Sequence, residues 1–262
     1  MDLRSYNREA WDREVAKLNK WTVPVTPKII QKARRGDWSI VMTPTRPVPR
    51  KWFPEPLSEL EILCLASGGG QQGPVLAATG ARVTVLDNSP AQLAQDRLVA
   101  AREKLDVNLV EGDMRDLHMF EDKSFDLIIH PVSNVFVPDV KPVWCECHRV
   151  LKSGGSMIAG FCNPIMFLFD PKLEQKGILQ VKYSIPYSDL EHVHDPDWQE
   201  VYGPDEPLGF GHSLDDLIGG QIEAGFVITG FYEDTFGPED NMPIARYINS
   251  TITTRALKPG SS

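Results

Sequence analysis

The chain has 262 residues, 42% hydrophobic and 24% charged, a composition that suits a globular protein with one substantial core. Its formal net charge of -9 argues against nucleic acid or an anionic membrane surface as the main partner, since both reward dense Lys/Arg patches, and favours a small-molecule substrate. No apolar run approaches the ~20 residues that span a bilayer, and "MDLRSYNREAWDREVAKL" lacks the apolar block of a secretory signal, so the expected location is cytoplasmic.

In chain order, Leu3, Tyr6, Ala10, Trp11, Val15 and Leu18 recur at three- and four-residue spacing, which predicts an amphipathic helix with one buried stripe over residues 3–20. The stretches "TVPVTPKII" and "MTPTRPVPRKWFPEP" that follow are rich in proline and predict extended or turning chain. Residues 1–57 thus read as a helical and Pro-rich arm lying on a main domain of residues 58–262. Tyr6, Trp11, Trp21 and Trp52 in this arm suit packing, and together with an aromatic cap they would also close an apolar chamber.

From residue 61 short apolar strands alternate with helical segments: "EILCLA", a helix to Thr79 ended by Gly80, "RVTVLD", a helix from Ser89 to about Leu105, "VNLVEGD", "FDLIIH", a helix over 140–150, and "SMIAGF". Alternation at that spacing implies parallel strands with helical crossovers, hence an α/β three-layer sandwich. Ser89 is the expected N-cap of its helix, with Pro90 at the first position and Gln92 placed to reach back. Residues 163–212, rich in aromatics and prolines, predict an inserted cap made of a hairpin or extended strands. Beyond it, Ser213 caps a helix closed by Gly225. Gly219 and Gly220 inside that helix predict close packing, and two closing strands follow.

The four cysteines, Cys64, Cys145, Cys147 and Cys162, sit in apolar or helical contexts and are expected as reduced thiols. Cys145 and Cys147 stand two apart on a predicted helix and so face different ways. No other Cys/His pair has zinc-like spacing, and no metal is expected.

The run Gly68, Gly69 and Gly70 follows the first strand and opens the first helix, where an open parallel sheet collects its ligands. Backbone amides at a helix start favour a polar or anionic group, and Asp87, ending the second strand, can accept both hydroxyls of a ribose. Gly68, Gly70 and Gly73 also spell GxGxxG, which leaves open an NAD(P)-dependent oxidoreductase.

The third strand carries "VEGDMRDL", and from there the chain resembles the class I S-adenosylmethionine-dependent methyltransferases. The resemblance spans about residues 58–160 through "ILCLASGGG", "VTVLDNSPAQL", "VEGDMRDL", "FDLIIHPVSNVFVPDV" and "HRVLKSGGSMIAGF". It implies a Rossmann-like, seven-stranded, mostly parallel sheet with the last strand antiparallel, and S-adenosyl-L-methionine as cofactor. It further implies that Ala66, Ser67 and Gly68 to Gly70 approach the methionine part, Asp87 holds the ribose, Asn88 borders the adenine, and Gly112, Asp113 and Met114 meet the adenine edge. The loop from His130 through Ser133 to Asn134 would lie beside the sulfonium.

Two positions depart from the family: Cys64 replaces its usual acid and Ala66 its first loop glycine. The methionine end would then fall to Ser67 or the arm, and a cofactor-binding protein without turnover is a further alternative. Methyl transfer is an in-line displacement that needs alignment and water exclusion more than catalytic groups. His130 at the end of the fourth strand, His212 before a helix start, and Asn134 as an orienting group are the candidates for catalysis. Strand-end or helix-entry hydrogen bonding is the competing reading for each histidine.

Overall fold

A computed structural model describes residues 1–260. Its centre is a seven-stranded sheet built from β1 (Glu61–Leu65), β2 (Arg82–Asp87), β3 (Val107–Glu111), β4 (Phe125–His130), β5 (Leu151–Cys162), β8 (Val227–Asp234) and β9 (Thr251–Leu257). The strands lie in the order β3, β2, β1, β4, β5, β9, β8. β9 pairs antiparallel with both of its neighbours, while β1 to β5 pair in parallel. The order of connection reverses at β1, between β2 and β4.

Strand alternation sorts the core into two layers. Ile62 and Cys64 of β1 belong to one buried cluster, and Leu63 and Leu65 belong to the other. The second cluster lies under α5 (Lys141–Val150), whose Trp144 is fully buried. The first lies under α3 (Gln72–Ala77) and α4 (Pro90–Glu103), and it takes in Ile30, Trp38, Met42, Trp52 and Phe53 from the N-terminal segment. Each such side chain, once buried, contributes about 1.5–3 kcal/mol, so residues 30–53 form part of the core.

The N-terminal segment differs from its sequence pattern in two respects. α1 (Leu3–Ala16) buries Asn7, Ala10 and Glu14, whereas Leu18 lies beyond the helix with φ 58° and is exposed. Asn7 donates to the Phe136 and Leu208 carbonyls at 3.2 and 3.1 Å and Glu14 accepts from Lys17 and Asn19, so the inner face is chosen by hydrogen bonding as well as by apolarity. The proline stretch also contains a helix, α2 (Pro27–Arg34), with Pro27 in the first turn, where a missing amide costs nothing.

Ser89 caps α4 by accepting from the Gln92 amide at 3.0 Å. The return bond from Gln92 does not form: the Ser89 amide donates to Asp87 Oδ1 at 2.9 Å instead. The predicted helix after Ser213 begins as a π-helical turn, Asp215–Gly219, and continues as α8 (Gly220–Glu223), with Gly225 at φ 102° closing it. A Cβ on Gly220 would lie 3.0 Å from Trp144 Cδ1, which accounts for a glycine inside this helix.

Residues 163–212 are short helical turns joined by irregular chain, with little of the hairpin or extended strands expected from sequence. They contain α6 (Pro171–Glu174), α7 (Pro196–Tyr202) and one two-residue pairing between β6 (Tyr187–Ser188) and β7 (Phe210–Gly211). Prolines at the first positions of α6 and α7 start short helices and interrupt any strand ladder. Among the described residues, no helix is long and apolar enough to cross a membrane.

Candidate functional site

A cavity of about 490 Å³ opens at the carboxyl ends of β1 to β4. The sheet contributes Ala66 to Gly68, Asp87, Asn88, Gly112 to Arg115 and Pro131 to Ser133. α1 and the chain after it contribute Trp11, Glu14 and residues 41–44, and the cap segment contributes aromatic side chains.

The glycine loop is held from within. The Gly68 amide donates to Asp87 Oδ2 at 2.8 Å, the Gly69 amide to the Gln92 carbonyl at 3.1 Å, and the Gly70 amide to Asp96 Oδ2 at 3.0 Å. The amides of these three glycines are thus spent on the protein, so they do not serve a ligand as the sequence pattern suggests. Gly69 and Gly70 lie outside the cavity, packed on the N-terminal segment: a Cβ on Gly69 would meet the Trp21 carbonyl at 2.9 Å, and one on Gly70 would meet Pro24 Cβ at 3.0 Å. Gly68 does reach the cavity, and a Cβ there would stand 2.6 Å from Gln92 Cβ. Ala66, in place of a glycine, adopts φ 46°, a left-handed conformation that costs a residue with a Cβ about 1 kcal/mol.

Asp87 stands at the cavity wall with one amide on each carboxylate oxygen, from Gly68 and Ser89. Burial raises its carboxyl to about 6 against the pull of those amides. Asp96, which no sequence motif marks, is fully buried on α4 and pushed up to about 8, chiefly by burial, with the Gly70 amide opposing and the Asp87 charge adding.

At the end of β3, Asp113 is gripped by Arg115, whose Nη2 donates to Oδ2 at 2.6 Å and whose Nε donates to Oδ1 at 3.0 Å. Burial pulls Asp113 upward, but the arginine prevails and holds the carboxyl below its ordinary range. Asn88 is tied to α1 in both directions: Arg4 Nε donates to its Oδ1 at 3.0 Å, and its Nδ2 donates to the Arg4 carbonyl at 2.9 Å. Asp87, Asn88, Gly112, Asp113, Met114, Ala66, Ser67, Gly68 and Ser133 are therefore brought to one cavity.

The three residues expected to take part in catalysis do not line it. His130 is fully buried, its Nδ1 2.9 Å from the Leu65 carbonyl and its ring edge-on to Trp144 at 5.9 Å. Burial depresses it to about 4, against that carbonyl bond, and its Nε2 is buried without a partner among the described residues. Asn134 donates from Nδ2 to the Gly160 carbonyl at 2.8 Å, and His212 Nε2 sits 3.1 Å from the Asn134 carbonyl. Each serves as a brace between chain segments, so the strand-end and helix-entry readings describe the histidines. His130 likewise does not border the cavity as a cofactor-binding residue.

Cys64, at the family's acid position, is buried in the layer beneath α3, and burial pushes its thiol upward. Thr43 lines the cavity, with its buried hydroxyl on the side of Tyr232 and Asp234. Ser67 Oγ donates to Gln72 Oε1 at 3.2 Å, and Gln72 Nε2 donates to the Val41 carbonyl at 3.1 Å, which ties the loop to the Thr43 segment. No sequence periodicity marks Thr43, because the chain around it is irregular.

Residues 63–159 match the family described as "Methyltransferase domain". A Bacillus subtilis (strain 168) protein called "Uncharacterized methyltransferase YbaJ" is 53% identical over 256 residues, 98% of this chain and 98% of that one. The demethylmenaquinone methyltransferase of Tropheryma whipplei is 34% identical over 110 residues, 41% of this chain and 44% of its own. Among solved structures, an S-adenosylmethionine dependent methyltransferase from Mesorhizobium loti superposes with a TM-score of 0.60 at 19% identity, covering 79% of this chain and 94% of that one. That likeness shows the fold.

Proposed function

The chain belongs to the S-adenosylmethionine-dependent methyltransferases, and on that premise we propose that the cavity binds the cofactor through Asp87 and passes its methyl group to a small-molecule acceptor under the cap. The observation that carries this reading is Asp87 itself. It ends β2 on the cavity wall, held by the Gly68 and Ser89 amides at 2.8 and 2.9 Å, with each oxygen retaining acceptor capacity toward a ribose hydroxyl.

The residues present fit an adenosyl group. Gly68 and Gly112 line the cavity with bare main chain, each glycine set by packing, on Gln92 and Leu86 respectively: a Cβ on Gly112 would lie 2.9 Å from Leu86 Cδ1. Asn88 and Met114 flank the adenine region, with Asp113 at its edge. Because Arg115 already occupies both Asp113 oxygens, the acid meets the adenine amino group through its remaining lone pairs. At the methionine end, Ser67 and the backbone of residues 41–44 line the wall where the acid is lost at Cys64.

The cofactor supplies an electrophilic methyl on a sulfonium. The protein's share is alignment and exclusion of water. α1 closes one side with Leu3, Asn7 and Trp11, whose ring stands edge-on to Phe136 at 5.1 Å, and the cap closes the other. The buried histidines take no proton from the acceptor. With Cys64, Cys145, Cys147 and Cys162 all free, the chain suits the reducing cytoplasm.

The test is thermal unfolding with S-adenosylhomocysteine and, separately, with NADH. A ligand at 100 times its dissociation constant adds about 2.7 kcal/mol, so S-adenosylhomocysteine raises the Tm and NADH leaves it in place. A shift with NADH alone favours the GxGxxG dinucleotide reading and overturns this one.

A further inference from the structure

We propose that the cap end of the cavity selects an acceptor that presents a cationic amine to Glu174 and lays a flat apolar body against Tyr183 and Tyr187; this rests on the methyltransferase reading and names its substrate class.

The first support is the balance of charge. Among the residues lining the cavity, α1 and the cap supply Glu14, Glu174, Asp189 and Glu206, whereas the arginines Arg4 and Arg115 stand at the adenosine end and no lysine takes part. Arg115 is committed to Asp113 at 2.6 Å and Arg4 to Asn88 at 3.0 Å. An acceptor bearing a carboxylate or phosphate would meet like charge here with no free cation to offset it.

The second support is that three of the four acids already have partners. Glu14 receives Lys17 at 2.7 Å and Asn19 at 2.6 Å, and Lys17 also reaches Glu206 at 3.2 Å. Asp189 accepts from Tyr187 at 2.7 Å, Trp198 at 3.0 Å and the Gly209 amide at 2.6 Å. Glu174 is the exception: its Oε1 is buried with no hydrogen-bond partner among the described residues. The nearby lysines are taken, Lys172 by Asp197 and Glu200 at 3.0 and 2.7 Å, and Lys182 by Asp170 at 3.2 Å. Glu174 also lines the cavity, where a carboxylate with an unpaired oxygen is met by a donor from the ligand.

The third support is the wall beside it. Tyr183 and Tyr187 lie 5.1 Å apart, and Phe167 stacks on Tyr187 at 5.6 Å. His192 also stacks on Tyr187, at 5.2 Å, and Lys182 Nζ lies 5.3 Å from the Tyr183 ring, so the two tyrosines serve the cavity as an apolar wall that accommodates a flat group. An amine carried on an apolar frame meets the carboxylate and the apolar wall together.

The experiment titrates the protein, saturated with S-adenosylhomocysteine, with three probes of matched skeleton: 2-phenylethylamine, 2-phenylethanol and 3-phenylpropanoate. The amine is expected to bind at least about tenfold tighter than the alcohol, with no measurable binding of the carboxylate. Glu174→Gln is expected to remove the preference while leaving S-adenosylhomocysteine affinity unchanged. The proposal is overturned if the alcohol or carboxylate binds as well as the amine, if no probe binds, or if a folded Glu174→Gln chain keeps the preference. The wild-type comparison stands whatever a variant does to folding. Failure of S-adenosylhomocysteine to bind the wild-type chain brings down the methyltransferase reading instead, so the two failures are distinguishable.

Discussion

The Gly70 amide donates to Asp96 Oδ2 at 3.0 Å, so a fully buried carboxyl on α4 fixes the glycine loop from the side opposite the cavity. The relation explains why the loop's third glycine never meets the cavity: its amide is consumed by the protein's own acid. It also gives the loop a titratable anchor.

That anchor has a pH signature. Burial raises Asp96 to about 8, whereas an unfolded aspartate titrates near 3.9. Between about pH 4 and 8 the native chain holds a proton that the unfolded chain has lost, so this group's contribution to stability falls as pH rises through that window. Asp96→Asn removes the titration. Urea unfolding at pH 5, 6.5 and 8 is expected to show the variant gaining on the wild type with rising pH, by on the order of a few kcal/mol in all. A difference that does not change with pH contradicts a protonated Asp96.

Asp12 of α1 joins the lid to the site. Ser89 Oγ donates to Asp12 Oδ1 at 2.5 Å, and the Ala91 amide donates to the same oxygen at 3.1 Å, placing a carboxylate at the N-terminus of α4. Asp12→Ala is expected to cost about 1 kcal/mol of stability. Because α1 also lines the cavity, the variant should weaken S-adenosylhomocysteine binding, read by calorimetry. Unaltered binding would mean that α1 does not cover the ligand.

His130 braces β4 against β1 and leaves the chemistry to other groups. His130→Asn is expected to lose about 1–3 kcal/mol in unfolding measurements while leaving S-adenosylhomocysteine affinity unchanged. The histidine is depressed to about 4 by burial, so its contribution is complete above pH 6.5 and disappears as pH falls through about 4. Loss of cofactor affinity without loss of stability would return His130 to the site.

The strands and their order of appearance were legible because apolar runs such as "RVTVLD" and "FDLIIH" are bounded by turn residues, and the seven-stranded sheet follows from the family resemblance. The residues that reach the cavity were less so. His130 shares its strand face with Ile128, over Trp144, so period-two alternation already carried a signal for its burial, masked by its position at the strand's end. Asp96 reads as one more polar residue of a helix until the fold closes over it. In the cap, prolines erase any periodicity, and Glu174 and Tyr183 come together only through the tertiary path of residues 163–212.

The central claim is that Asp87 holds the ribose of the cofactor at the end of β2. Calorimetric titration of the wild-type chain and of Asp87→Ala with S-adenosylhomocysteine tests it most directly. One site per chain is expected in the wild type, with affinity weakened about 10- to 100-fold in the variant, the worth of one or two hydrogen bonds to a charged group. Equal affinity in the two proteins would contradict it.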